Sequence, residues 1–163
     1  MLALRYVYLL TLVVWFGGMI TLGTVVAPVT FQVLQAADPA AGRELAGNVF
    51  GSIFARFHYV AYAAGTLLLV TLTAMRLLGP RPQAFGMRAV IIAGMLAVSL
   101  YSGVIVLQRI DAVQRASGGL PSQLPANDPR RVRFDELHQL STRLWLLNVV
   151  AGFALLYWEA RER

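Results

Sequence analysis

The chain has 163 residues, of which 58% are hydrophobic and 13% charged, against about 25% charged in an ordinary soluble domain. All 14 basic residues are arginine and the formal net charge is +6. The arginines stand at the ends of apolar runs and in loops, where membrane proteins carry them, which argues against nucleic acid as a partner. There is no cysteine, so disulfides, thiolate metal sites and thiol catalysis are excluded.

Tyr6 to Ala37 contains no Asp, Glu, Lys or Arg, and three further charge-poor apolar runs follow. Roughly 20 apolar residues in a helix cross a hydrocarbon core, and a charge at its centre costs on the order of 3 kcal/mol. The expected fold is therefore all-α, an integral membrane antiparallel four-helix bundle in a single domain. The first run is too long for the apolar part of a signal peptide, about 7–15 residues, and reads as a retained span over about 4–35. It exceeds what a bilayer requires, and Pro28 is its expected kink, because the ring removes a backbone donor and crowds the preceding turn.

A short polar connection follows, with Asp38-Pro39 as a cap for a small surface helix. Span two is expected over 54–78 and stops at Gly79-Pro80-Arg81-Pro82. Span three is expected over 85–108, continuing towards Arg115. A long connection over 109–136 holds Gly118, Gly119, Pro121, Pro125 and Pro129. Asn127 or Asp128 can cap a fourth helix that begins near Pro129. Its membrane part is expected over 137–158, and its clearly apolar stretch, Leu144 to Trp158, is shorter than a bilayer needs. Four spans put both termini on one face. The short second connection carries arginines and no acid, so the termini are expected in the cytoplasm and the protein in the bacterial inner membrane. Tyr6, Tyr8, Tyr157 and Trp158 fit an interfacial aromatic belt, and Trp15 is deep enough to pack internally.

His58 and His138 open spans that run away from the same membrane face, so their imidazoles are expected at one end of the bundle at similar depth. In a square of four helices spans two and four are diagonal, and their side chains can converge on the axis. Two opposed imidazoles are what a b-type haem requires, or half of a transition-metal site. Helical phase adds neighbours. His138, Ser141, Trp145, Asn148 and Gly152 form one stripe, and so do Gly17, Thr21, Thr24, Pro28 and Gln32. The expected interior at this end comprises His58, Tyr62, Tyr101, Gln32, Gln108 and His138, with Asn148 deeper. The same residues can equally serve only as hydrogen-bonding contacts between helices, and small residues on a stripe as close-packing sites.

Trp15-Phe16-Gly17-Gly18, Phe54-x-x-Phe57-His58 and Phe134-x-x-Leu137-His138-x-x-Ser141 with Asn148 resemble an uncharacterised bacterial four-helix membrane family related to eukaryotic transmembrane protein 205. More distantly, the early W-x-G-G resembles copper-resistance D-type proteins and membrane protoporphyrinogen oxidases. The first resemblance implies a link to drug resistance, the second copper or haem handling. Span one lacks the histidine that the oxidases would imply. Three readings follow. The first is a small membrane protein, more an unreactive binder than an enzyme, that holds haem b or a metal ion through His58 and His138. The second is an accessory or scaffolding subunit that meets a membrane partner or further copies of itself. The third is a small solute- or drug-handling protein.

Overall fold

The computed structural model describes residues 2–79, 82–118 and 121–161. Among them stand four long helices and no strand: α1 (Leu2–Ala37), α2 (Gly42–Leu78), α3 (Phe85–Ser117) and α4 (Pro129–Arg161). Each is long and apolar enough to cross a bilayer. Of the expected breakers, Pro80, Arg81 and Gly119 lie outside the described residues.

The helices outrun the spans read from the sequence. α2 begins at Gly42, so the small surface helix expected after Asp38 is the first part of α2 itself. α3 continues to Ser117 and α4 begins at Pro129, so the connection expected over 109–136 shrinks to 118–128. The reason is physical. A charged residue ends a lipid-facing belt, but Arg, Glu, Gln and Ala all favour helix in water. Local signals set the true ends. The Asp38 carboxylate accepts the backbone N–H groups of Ala40 and Ala41 at 2.9 and 3.0 Å and closes the turn between α1 and α2. The Asp128 carboxylate accepts the N–H of Arg130 at 2.8 Å, which caps α4 with Pro129 in its first position. Gly118, at φ 66°, ends α3 in the left-handed region that glycine reaches without strain.

With 36, 37, 33 and 33 residues, the helices are about 50–55 Å long, against a hydrocarbon core of about 30 Å. The stretches free of Arg, Asp and Glu begin after Arg56 in α2 and after Arg143 in α4, and end before Arg109 in α3. The surplus helix therefore projects on the face opposite the termini.

Each helix packs against its neighbours in chain order, and α4 closes back on α1. This is the expected square, with α2 and α4 diagonal. Its core joins Tyr8, Leu12, Trp15 and Met19 of α1, Ala61, Ala64, Leu68 and Leu72 of α2, Ile92 and Met95 of α3, and Val149 and Leu155 of α4. Lipid tails supply no hydrophobic drive between helices, so close fit matters more than apolarity. Gly65 brings α2 onto the Trp15 ring, where a Cβ would stand 3.1 Å from Cη2. Leu10, Val13, Val70, Val90, Leu146 and Phe153 point outward as the lipid-facing belt.

Two helices change winding midway. α1 is π-helical over Leu22–Val26, just ahead of Pro28, and α3 over Tyr101–Val106. In α1 the wider turn stands where the proline ring would crowd an ordinary one. α3 has no proline. Its π turn carries Gly103, where a Cβ would meet the His58 ring at 2.5 Å and would also collide with the Tyr62 hydroxyl.

A buried polar cavity around His58

His58 is the second residue of the charge-free stretch of α2 and is buried, at 6% exposure. Its Nδ1 lies 2.9 Å from the Phe54 carbonyl. A carbonyl only accepts, so Nδ1 carries the hydrogen. In the neutral ring Nε2 then keeps its lone pair, and no hydrogen bond takes it among the described residues. Phe54 meets the ring edge-on with centroids 4.6 Å apart.

Asn148 comes from α4 at the same level and is 5% exposed. Its Nδ2 donates to the Ser99 hydroxyl at 3.0 Å and to the Met95 carbonyl at 3.3 Å. The carbonyl fixes which way the amide points, because only the nitrogen can donate to it. The Oδ1 is left without a hydrogen-bond partner, and so is Nε1 of Trp15 from α1, which is fully buried. Such orphaned groups are rare, since each costs about 1–3 kcal/mol.

Trp15, His58, Asn148, Ser99 and Ser102 line one cavity of about 20 Å³. Met19, Phe54, Phe57, Ala61, Val98, Leu144 and Trp145 supply its apolar wall. That volume suits a water molecule or a single polar group of similar size, far less than a haem macrocycle. No carboxylate lines it. Among the described residues no group of three or more His, Cys, Asp or Glu stands together as a metal site.

The other expected site residues fall elsewhere. His138 is exposed and stacks on Phe134 of its own helix, centroids 6.0 Å apart. It lies on the water side of Arg143, whereas His58 lies on the lipid side of Arg56, so the two imidazoles differ in depth. His138, Gln32, Gln108, Tyr101 and Tyr62 do not line the cavity. Gln32 and Gln108 are exposed on the projecting ends, where water serves them, and Tyr101 is 41% exposed. Tyr62 is half-buried beside His58 and donates a long bond, 3.5 Å, to the Ser99 carbonyl.

The α1 stripe of Thr21, Thr24, Pro28 and Gln32 faces outward. Thr24 satisfies its hydroxyl on the Ile20 carbonyl at 2.8 Å, so the larger apolar side chains take the interior. Ser99 and Ser102 were not among the expected site residues. Ser99, Ser102 and Val106 continue the inward stripe of Ile92 and Met95 in α3, and Tyr101 and Gln108 lie off that stripe. Two serines about one turn apart in an apolar span were the available signal.

A second polar cluster closes the terminal end. Arg88, fully buried, pairs with Glu159 at 2.5 Å, and Glu159 also accepts from Arg5 at 3.1 Å. The Arg88 guanidinium lies 4.8 Å from the Tyr8 ring centroid. Tyr8, expected in the aromatic belt, is fully buried beneath it. Tyr6 and Tyr157 are exposed at this end, as the belt requires. Between the cluster and the cavity, Leu68, Leu72, Ile92 and Leu155 form a buried aliphatic layer. Thr71 at that level spends its hydroxyl on the Leu67 carbonyl.

These features define an integral membrane four-helix bundle with a polar cavity set in one half of its interior. The family model described as Domain of unknown function (DUF4149) matches residues 10–118, more than half of the chain. The protein belongs to that family. The match carries His58, Trp15, Ser99 and Ser102, while Asn148 lies beyond it. No curated protein and no solved structure matches the chain.

Proposed function

We propose that the protein is a non-enzymatic membrane binding protein, whose work is to hold one small ligand in the His58 cavity. The observation that carries this reading is the pair of buried, unpartnered polar atoms, Trp15 Nε1 and Asn148 Oδ1, on two residues that line one cavity together with His58. Ionisable and polar groups inside a membrane protein are costly and mark ligand or proton sites. The aliphatic layer of Leu68, Leu72, Ile92 and Leu155 favours a dead-end pocket over a through-path. The lining favours a neutral guest, because a divalent cation in lipid needs anionic oxygen or thiolate ligands.

Native mass spectrometry of the protein released in mild detergent tests the reading without knowing the guest. We expect one non-protein adduct per chain, lost in His58→Ala and in His58→Phe while helix content stays constant. Elemental analysis and an absorption spectrum on the same sample identify a metal or a haem, should either be the adduct. Identical spectra from wild type and both variants would refute the proposal.

A further inference from the structure

We infer that the guest is a hydroxyl group, the polar head of a membrane-soluble molecule with an apolar, ring-bearing body. The inference rests on the reading of the cavity as a binding site and adds the chemical class.

The free groups of the lining dictate the complement. Trp15 Nε1 can only donate, whereas Asn148 Oδ1 and His58 Nε2 can only accept while the ring is neutral. A guest must therefore accept once and donate at least once from a centre small enough for about 20 Å³. A hydroxyl does both. An ammonium group has no lone pair for the indole N–H. A carboxylate has no hydrogen for the two acceptors and meets their lone pairs instead. A ketone or an ether oxygen satisfies Trp15 and leaves both acceptors unpaired. Ser99 already receives the Asn148 amide, so its own hydrogen is available as a second donor to the guest oxygen.

The size of the cavity places the rest of the molecule. Only the head fits inside. The body must lie along the apolar wall, where Phe54, Phe57, Leu144 and Trp145 are each only half-buried. Phe57, Leu144 and Trp145 stand within the hydrocarbon depth, on the lipid side of Arg56 and Arg143, and Phe54 stands one turn before His58 at its edge. A guest that partitions into lipid can reach them without crossing water. Three of the four are aromatic, and ring faces or edges prefer an aromatic partner by about 0.5–1.5 kcal/mol beyond simple burial.

The test uses the full chain in nanodiscs and three probes of nearly equal shape: 4-tert-butylphenol, its methyl ether and tert-butylbenzene. Trp158→Phe removes the tryptophan remote from the cavity, so the emission of Trp15 and Trp145 reports binding. We expect saturable one-site quenching by the phenol and at least tenfold weaker binding of the ether and the hydrocarbon. Asn148→Leu and Trp15→Phe should each bring the phenol down to the level of the ether, with unchanged partition of the hydrocarbon into the nanodisc. Equal binding of phenol and ether by the Trp158→Phe protein would overturn the hydroxyl assignment. If the mass-spectrometric adduct is present while no probe binds, the guest belongs to another class and the binding reading stands. If adduct and probe binding both fail, both conclusions fall together.

Discussion

Gly103 is the residue on which the cavity's geometry turns. Its missing side chain lets α3 lie against the edge of His58, and a Cβ there would stand 2.5 Å from the ring. Gly103→Ala should destabilise the protein by about 1–3 kcal/mol, the usual cost of overpacking, and should displace the imidazole. Thermal melts in detergent read the first effect, and the His58 ring signals in NMR read the second. A substitution at Gly94, where a Cβ meets nothing within 4 Å, is the control and should change neither. An unshifted melt and unmoved His58 signals in Gly103→Ala would show that the close approach is not tight. Nothing in the sequence distinguishes this residue from the other glycines within the spans. His58 and Asn148 could be singled out because polar side chains in an apolar span need partners. Trp15 could be placed inside by depth alone, but nothing in one sequence says that its indole N–H is left over. His138 misled because helical phase fixes a direction around the axis and says nothing about where the lipid ends.

At the scale of elements, the four helices were legible because charge-free runs of this length have one stable form in lipid. Their ends were not, since helix and hydrocarbon stop at different places. The π turn in α3 was also hidden. It inserts extra chain without a proline or other breaker, while the buried positions Ile92, Met95, Ser99, Ser102 and Val106 keep steps of three and four through it. The start of α4 gives a test of the capping argument. Asp128 receives the Arg130 guanidinium at 2.8 Å as well as the Arg130 backbone N–H. Together these hold its carboxyl at about 2, below the ordinary 3.8. A carboxyl depressed in the folded state contributes stability above its unfolded pKa, and that stability is lost as pH falls through the folded value. Protection of the Arg130 to Val132 amides, taken relative to their intrinsic exchange rates, should thus be high at pH 5 and fall between about pH 4 and pH 2. In Asp128→Asn, which keeps the capping oxygen without the charge, that step should vanish. An unchanged pH profile in the variant would mean that other carboxylates govern this end.

For the molecule as a whole, the cluster at the terminal face ties the first helix to the last two. Arg88 is fully buried, and Glu159 is its acid partner alongside Arg5. Removing one member of a buried pair strands the other, at about 3–5 kcal/mol. Glu159→Gln should therefore lower the melting temperature sharply, while Arg88→Met combined with Glu159→Gln should recover part of the loss. Equal melts for Glu159→Gln and wild type would show that the charge of Glu159 does not hold the bundle. Because the aliphatic layer separates this cluster from His58, neither variant should change the mass-spectrometric adduct.

The length of α4 has a consequence for the lipid itself. Between Arg143 and Glu159 its apolar belt measures about 22 Å, less than a typical core of about 30 Å. α1 carries no charge between Arg5 and Asp38, so the two sides of the bundle present belts of unequal height. Hydrophobic mismatch must then be relieved on the α4 side, by thinning the annular lipid or by snorkelling of Arg143. Trp145 and Asn148, which line the His58 cavity, stand within about a turn and a half of Arg143 on this shorter side.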